Sequence, residues 1–421
     1  MKKKILFFLI MLILAVSLLP AQGENLTVKV AVMGPGDQLY FWWGHISLII
    51  EDAASGRNYL YDYGQFSFEQ ENFFVNFALG RLYYNCGVSP AEWALSVYPL
   101  TNRDVFIYTL NVPPAKRLEI KEFADNNVLP ENKYYEYHHF KDNCSTRIRD
   151  IIDMLTDGQF YEQFGEAVSR YTLRQHVRRH TWFSPPGDWI LNFWMGQGID
   201  TPITVWEDMF LPSEVGRNIE DFYYIDSNGV RTKLVTSIET ISLAENRPAV
   251  LEIPRKQWPR QLVFSLVLSL VFGFFFFLTA KNKKAGRILA GISMSLSGLV
   301  FGFAASLLYF LSLFTNHDYT YNNMNMIFCT PILLAAVPFG IYYAFTKNQE
   351  KLVTYGLLLR LIWLLPAAGV IISMILKIFP WFWQQNLTDQ MLILPIALVF
   401  TLQPVGMKES CQKLKKWIKR K

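Results

Sequence analysis

Five long apolar stretches in the second half of this 421-residue chain constrain its fold more than any other feature. All five come after Pro259, and each has about 17–27 residues, enough to cross a hydrocarbon core of about 30 Å. They are Leu262–Ala280, Ile288–Phe314, Met326–Phe345, Leu361–Phe379 and Met391–Met407. We therefore predict an all-α membrane domain of five helices over residues 256–407.

The charges between these stretches predict how the helices are oriented. The second and fourth connections, residues 315–325 and 380–390, contain no Lys or Arg, whereas basic residues fill the first and surround the third. This alternation follows the positive-inside rule and predicts an odd number of spans between an exported domain and a basic cytoplasmic tail at residues 408–421. If the apolar stretches were buried helices of a large soluble protein, nothing would explain this alternation of charge.

The N-terminal part of the chain has the pattern of an exported domain. Residues 1–23 resemble a secretory signal peptide, with three lysines before an apolar stretch at Ile5–Leu19. An uncleaved membrane anchor is the alternative, and it would also export the residues after it. Residues 24–255 contain no stretch long enough to cross a bilayer, so we predict that they form the exported domain.

Composition excludes several classes of protein. Charged residues make up 18% of the chain, below the roughly 25% of soluble proteins, which argues against an ordinary cytosolic protein. The basic residues gather at the predicted membrane edges, which argues against nucleic acid as a partner. Four cysteines without a CxxC pair indicate neither a disulfide framework nor structural zinc, and no motif predicts a cofactor.

Patterning within residues 24–255 predicts both strands and helices. The predicted strands are Val28–Met33, His45–Ile50, Tyr59–Tyr63 and Val105–Leu110. The second and third strands form a β-hairpin. Helices are predicted at Phe66–Leu79 and Lys116–Asn126.

The stretch Tyr134–Leu155 carries the strongest indication of chemistry. Apolar residues at helical spacing predict a helix through Arg149–Met154, and Asp142, Asn143 and Ser145 are candidate N-cap residues. Cys144 therefore lies at or next to a helix N-terminus. The helix dipole there favours a thiolate, and free backbone N–H groups can stabilise an oxyanion.

A cysteine nucleophile needs a base, and His45 on the second predicted strand is the first candidate. His138 and His139, shortly before Cys144, are alternatives that we rank below it. A disulfide between Cys86 and Cys144 is a competing interpretation in an oxidising compartment. His45 could also be an ordinary half-buried strand histidine, but its combination with Cys144 and the capped helix favours catalysis.

Basic and aromatic residues are concentrated between residues 170 and 194. Arg174 and Arg178 are candidate ligands of a lipid phosphate, with a solvated basic face as the alternative. His176 and His180 have the spacing of a metal pair, but the nearby arginines would repel a cation, so we predict no metal site. An aromatic cluster fits either a membrane interface or a buried helix. It comprises Trp182, Phe183, Trp189, Ile190, Phe193 and Trp194.

Five short motifs occur in order along the exported domain. They are Trp43-Gly44-His45, Tyr61-Asp62-Tyr63-Gly64, Phe140–Arg147 (FKDNCSTR), Gly198–Pro202 (GIDTP) and Glu207–Pro212 (EDMFLP). Together they resemble the Lnb N-terminal periplasmic domain family over most of residues 25–225. The order of a Gly-His strand before an Asn-Cys helix is similar to circularly permuted papain-like folds, such as lecithin:retinol acyltransferase-like enzymes.

This resemblance implies an α+β, permuted papain-like domain with lipoprotein N-acyltransferase activity at the bacterial inner membrane. A phospholipid would donate an acyl chain through a Cys144 thioester to the α-amino group of a diacylated lipoprotein's N-terminal cysteine. His45 would be the general base, and either Asp62 or Tyr63 would orient it. Asn143 and Arg147 would support the loop or an oxyanion, and no cofactor is implied.

The same residues also fit two other functions. An NlpC-like cysteine peptidase or amidase acting on cell-wall peptide could use the same Cys/His pair, because a fold does not determine a function. A non-enzymatic membrane sensor would hold Cys86 and Cys144 in a structural disulfide. These two alternatives predict different states of the Cys144 thiol.

Overall fold

The computed structural model describes residues 23–69 and 71–403. The predicted signal peptide, apart from Gly23, and the predicted basic tail lie outside the described residues. The chain divides into two compact units. Unit 1 comprises residues up to Phe77, Arg81–Thr172 and Pro202–Ala249, and unit 2 comprises Ala78–Gly80, Leu173–Thr201 and the chain from Val250. This division differs from the predicted 24–255 domain, because residues 78–80 and 173–201 pack within unit 2.

Unit 1 is built on a seven-stranded sheet in which every neighbouring pair is antiparallel. In chain order the strands are β1 (Leu26–Met33), β2 (His45–Asp52), β3 (Arg57–Gln65), β4 (Tyr83–Pro90), β5 (Val105–Leu110), β6 (Tyr134–Glu136), β7 (Tyr223–Ile225), β8 (Arg231–Lys233) and β9 (Val235–Ser242). The sheet order is β6-β4-β3-β2-β1-β5-β9, and β7 and β8 form a separate pair. The predicted antiparallel α+β class is therefore confirmed for this unit, whereas the papain-like permutation stays a prediction.

Helices cover both faces of the sheet. The first five helices belong to unit 1: α1 (Phe73–Ala78, whose last residue belongs to unit 2), α2 (Ala91–Leu100), α3 (Pro114–Asn127), α4 (Cys144–Leu155) and α5 (Gln159–Phe164). The next two belong to unit 2: α6 (Leu173–Thr181) and α7 (Pro185–Trp194). Two short helices follow in unit 1: α8 (Val205–Asp208) and α9 (Pro212–Glu220). The predicted helix Phe66–Leu79 is wrong over its first half. Asn72 has a left-handed backbone (φ 57°), which a right-handed helix cannot include, so the helix begins at Phe73.

The hairpin of β2 and β3 is confirmed and carries much of the core. Leu48 lies opposite Tyr61, and successive side chains alternate between the two faces. Ile46, Leu48 and Ile50 pack under α4, while Ile49 packs on the opposite face. His45, the first residue of β2, therefore lies at the end of a central strand of a well-packed sheet.

Unit 2 contains three helices that are long and apolar enough to cross a membrane. These are α10 (Trp258–Ala280), α11 (Lys284–Phe314) and α13 (Gln349–Leu376); the shorter helices are α12 (Ala336–Phe345) and α14 (Leu387–Thr401). The third predicted span is broken because 3₁₀ turns at Met324–Ile327 and Pro331–Ala335 replace its first half. At 1.5 Å per residue, α14 is only about 22 Å long. The prediction of five spans is thus confirmed for three.

The segment from α6 to α7 is part of the core of unit 2. Phe193 is fully buried, the rings of Trp189 and Phe301 are 6.2 Å apart, and Trp194 Nε1 donates a hydrogen bond to the carbonyl of Ala304. Of the two interpretations of the aromatic cluster, the buried helix therefore holds for Phe193.

Candidate active site

Cys144 is the first residue of α4, and Asn143 is its N-cap. Asn143 Oδ1 accepts hydrogen bonds from the backbone N–H groups of Ser145 (2.8 Å) and Thr146 (3.0 Å). Thr146 Oγ1 accepts one in return from the N–H of Asn143 (2.8 Å). This capping box determines where the helix starts and confirms the predicted place of Cys144 at its N-terminus.

The cap also decides which backbone donors remain for an oxyanion. Of the four N–H groups in the first turn, those of Ser145 and Thr146 are taken by Asn143 Oδ1, and that of Arg147 is taken by the Asn143 carbonyl. Among these described donors, the Cys144 N–H is the one left. The expectation that several free N–H groups would face an oxyanion is therefore reduced to one donor.

The Asn143 amide group joins α4 to two other segments. Its Nδ2 donates hydrogen bonds to the carbonyls of His139 (2.8 Å) and Phe210 (3.0 Å), and the side chain is only 4% exposed. Arg147 supports the same loop, with Nε and Nη2 at 2.6 and 2.7 Å from the Asp142 carboxylate. Both residues thus hold the loop before Cys144, and their role in supporting the reaction stays a prediction.

Replacing Asn143 by alanine is expected to lower the free energy of unfolding by about 2–4 kcal/mol, because it removes a helix cap and the two hydrogen bonds that the amide group donates to the carbonyls of His139 and Phe210. Urea unfolding of the full chain measures the loss. Asn143→Ser keeps a capping oxygen but not the amide donors, so we expect about half of the loss. Equal losses in the two variants would show that the cap contributes nothing.

Asp62 is the residue that orients His45. The Nε2 atom of His45 lies 2.5 Å from Asp62 Oδ1, which leaves Nδ1 for proton transfer. Asp62 is held in turn by Ser47 Oγ (3.0 Å) and Gln65 Nε2 (3.1 Å). Tyr63 points to the other face of the sheet and is buried in the core with Cys144. Of the two candidates, the structure brings Asp62 and not Tyr63 to the imidazole.

The electrostatics of the site favour a protonated His45. Burial disfavours the charged imidazole, but the negative charges of Asp62 and Cys144 and the hydrogen bond to Asp62 outweigh it and raise the pKa of His45 well above its usual value. Burial raises the pKa of Asp62, but the charge of His45 and the hydrogen bonds at its carboxylate lower it overall. These interactions thus favour an imidazolium at His45, held by the carboxylate of Asp62.

Two further residues at this site had no signal in the sequence. Arg103 is 3% exposed, and its guanidinium lies between the rings of Phe41 (4.6 Å) and Tyr98 (4.8 Å) while Nε donates to the Gly34 carbonyl. Arg103 and Tyr98 both interact electrostatically with Cys144. They lie some 40 residues before the cysteine in the chain, and only the sheet brings them near it.

The cysteines do not form the disulfide considered above. Cys86 and Cys144 both carry free thiols among the described residues. Burial raises the pKa of Cys86 to about 12, which keeps that thiol protonated and unreactive. Cys144 is therefore the candidate nucleophile of unit 1.

Comparison with known proteins identifies this part of the chain. Residues 20–179 match the model of the Lnb N-terminal periplasmic domain family. The match includes His45, Asp62 and Cys144 and confirms the predicted resemblance over these residues. No curated protein and no solved structure matches the chain. Residues 20–179 are thus similar to an Lnb periplasmic domain, and helices long enough to span a membrane lie further along the chain.

Within the matched residues, the alternative base His138 makes contacts that stabilise a turn. Its Nδ1 accepts hydrogen bonds from the backbone N–H groups of Phe140 (3.1 Å) and Lys141 (3.0 Å), which stabilises the turn before Asn143. His139 packs edge-on against the ring of Tyr137. His45 is the histidine that the described contacts pair with a carboxylate and with the charge of Cys144.

The predicted lipid-phosphate role of Arg174 is wrong, because its side chain is fully buried and its donors are already used. Nε pairs with Asp200 at 2.7 Å, Nη1 donates to the Asn192 carbonyl, and Nη2 donates to the carbonyls of Met195 and Gly196. Arg178 is half-buried, and its Nη2 donates to the Gln385 carbonyl. Its lipid-phosphate role stays a prediction.

An Arg174→Met variant is expected to destabilise unit 2 by about 3–5 kcal/mol, because Asp200 would keep a buried charge without its partner. Thermal unfolding of the full chain in detergent measures the effect. The double variant Arg174→Met, Asp200→Asn removes both charges, so it should unfold at a higher temperature than the single variant. If the single variant were the more stable of the two, the ion pair would not be the interaction that holds this segment.

Proposed function

We propose that this protein is a lipoprotein N-acyltransferase that carries a fatty acyl group on Cys144. The observation that carries the proposal is the joint placement of Cys144 at a capped helix start and of His45 against Asp62, with the charges of Cys144 and His45 interacting. The match to the Lnb periplasmic domain supports the same conclusion. Unit 2 supports it as well, since both substrates of such a reaction are membrane lipids.

In the first half-reaction, the Cys144 thiolate attacks the carbonyl carbon of a glycerolipid ester. The Cys144 N–H can donate to the oxyanion that forms. As the oxyanion collapses, the ester C–O bond breaks, and the leaving glycerol oxygen takes the Nδ1 proton of His45. The products are a thioester on Cys144 and a lysolipid.

In the second half-reaction, the α-amino group of the lipoprotein's N-terminal cysteine attacks the thioester. The amine gives a proton to His45 as the C–N bond forms, and the C–S bond breaks to return the thiolate. An imidazole held by Asp62 thus takes and returns one proton per cycle. Two half-reactions through a covalent intermediate give ping-pong kinetics.

Water must be kept from the thioester, because its hydrolysis would make the enzyme a lipase. A site that works at a bilayer meets both lipids and excludes bulk water. A cell-wall peptidase with the same Cys/His pair would gain nothing from helices such as α10, α11 and α13. This difference favours acyl transfer over the peptidase.

Mass spectrometry of the full chain in lipid vesicles tests the proposal. With phosphatidylethanolamine whose acyl chains carry a heavy isotope, we expect a hydroxylamine-sensitive labelled acyl adduct on Cys144. Adding a diacylated lipopeptide should move the label to its α-amino group. Unlabelled N-acylation would make the lipopeptide's own ester the donor. Absence of any adduct, together with cleavage of cell-wall peptides, would establish the peptidase instead.

A further inference from the structure

A continuous row of aromatic rings in unit 1 leads to Cys144, and the acyl-transfer mechanism makes no use of it. We call this row the aromatic track; it consists of Phe74, Phe68, Phe66, Tyr84 and Tyr137. Successive ring centroids are 6.2, 5.2, 5.0 and 4.4 Å apart. The rings therefore touch from one end of the row to the other.

The inner end of the track lies at the nucleophile. Gly64, in the bulged part of β3, has φ +88°, and a Cβ atom built on it would lie 3.5 Å from Tyr137 Cε2 and 3.7 Å from Cys144 Cβ. Tyr137 also interacts electrostatically with Cys144. The missing side chain at Gly64 thus leaves space where the last ring of the track meets the cysteine.

The outer end of the track is exposed. Phe68 is 55% and Phe74 is 70% exposed. Neighbouring apolar side chains that are this exposed are typical of a binding surface. The last residue of α1, Ala78, and the two residues that follow it belong to unit 2. There the Leu79 carbonyl accepts a hydrogen bond from the N–H of Asn316 in the connection after α11.

We propose that the aromatic track binds the acyl chain of the donor ester, with the carbonyl at Cys144 and the methyl end at Phe68 and Phe74. The inference rests on the proposed function, since only a reaction that places an acyl group on Cys144 needs such a surface. A row of rings suits an aliphatic chain because each methylene buried against it favours binding by about fourfold. Because its outer end consists of phenylalanine rings, the track would recognise the length of the acyl chain and not the headgroup.

Photocrosslinking tests the binding independently of turnover. The full-length Cys144→Ala variant is placed in vesicles containing phosphatidylethanolamine with a diazirine either near the ester or at the methyl end of one chain. We expect the first probe to label the peptide of Tyr137 and the second to label the peptide of Phe68 and Phe74. Labelling of the same peptide by both probes would overturn the proposal, because it indicates surface contact with the bilayer alone.

Kinetics with donors of different chain length test its role in catalysis. The Phe68→Ala, Phe74→Ala double variant changes exposed rings, so folding should be kept. We expect the ratio of kcat/KM for long-chain over short-chain donors to fall by about tenfold. The control Tyr223→Ala, an exposed ring on β7, should keep the ratio.

The possible failures of these two tests are distinguishable. An equal loss for short and long donors in the double variant would overturn the chain-binding role of the track. If the unaltered protein forms no thioester with any donor, the proposed function fails. The crosslinking pattern would still decide whether the track holds an acyl chain.

Discussion

A Cys144→Ala variant is expected to leave lipoproteins diacylated in a cell that depends on this protein for N-acylation. Without the sulfur no atom can carry the acyl group between the two half-reactions, so the rate should fall by about 10⁴-fold or more. Mass spectrometry of lipoprotein N-terminal peptides measures the result directly.

Cys86→Ala is the matched control for this experiment. Cys86 is a buried thiol on β4 with a raised pKa. It takes part in no step of the proposed mechanism, so triacylation should continue in the Cys86→Ala variant. Full triacylation with Cys144→Ala would refute the enzyme assignment. Loss of triacylation with both variants would indicate damage to the core that the two cysteines share.

The second large effect is expected for Asp62→Asn, which keeps the shape of the side chain but removes its charge. In the Ser-His-Asp proteases the equivalent change lowers kcat by about 10⁴-fold, and we expect a loss of about 10³–10⁴-fold here. His45 would lose the partner that fixes its ring and its protonated form. Single-turnover formation of the Cys144 thioester measures the effect.

The same variant should change the pH dependence in a defined direction. His45 must carry a proton to release the leaving oxygen, so thioester formation is lost as the pH rises through the pKa of His45. Asp62 helps to raise this pKa, and its removal should move the alkaline limb toward lower pH. Ser47→Ala removes one hydrogen bond to Asp62 but leaves its charge, so the limb should hardly move. An unchanged limb in Asp62→Asn would contradict the assignment.

Local sequence patterns were enough to predict the strand that carries His45 and the helix that begins at Cys144. The alternation of β2, the helical spacing of Ile148, Ile151 and Leu155, and the cap at Asn143 all depend on residues within a few positions of one another. Such interactions form in the same way in any fold that accepts the segment. The positions of His45 and Cys144 on their elements could therefore be read from the sequence.

The partners of His45 and Cys144 that come from elsewhere in the chain could not be predicted from local patterns. Asp62 and Tyr63 differ by one position, and only the register of β2 against β3 decides which of them faces His45. Arg103 and Tyr98 interact electrostatically with Cys144 because of the packing of α2 and the residues after it on the sheet, and such packing leaves no periodic pattern. Arg174 looked solvated because its partner Asp200 lies on a different element.

The membrane helices show a similar limit. A run of apolar residues has the same composition whether its backbone forms one helix or several turns. The third predicted span contains Pro331, and its chain folds as short 3₁₀ turns before α12 begins. Length in residues was therefore a good guide for α10, α11 and α13 and a poor one for α12.

The interleaving of the two units has a consequence for biosynthesis. Residues 173–201 are translated well before α10–α14, yet Phe193 is buried among those later helices and Asp200 accepts a hydrogen bond from the N–H of Gln385, which comes just before α14. Until those helices fold, the apolar side chain of Phe193 is exposed to solvent and the segment is accessible to proteases. Slow insertion of the last helix is thus expected to reduce the yield of folded protein, because a segment made much earlier would be degraded.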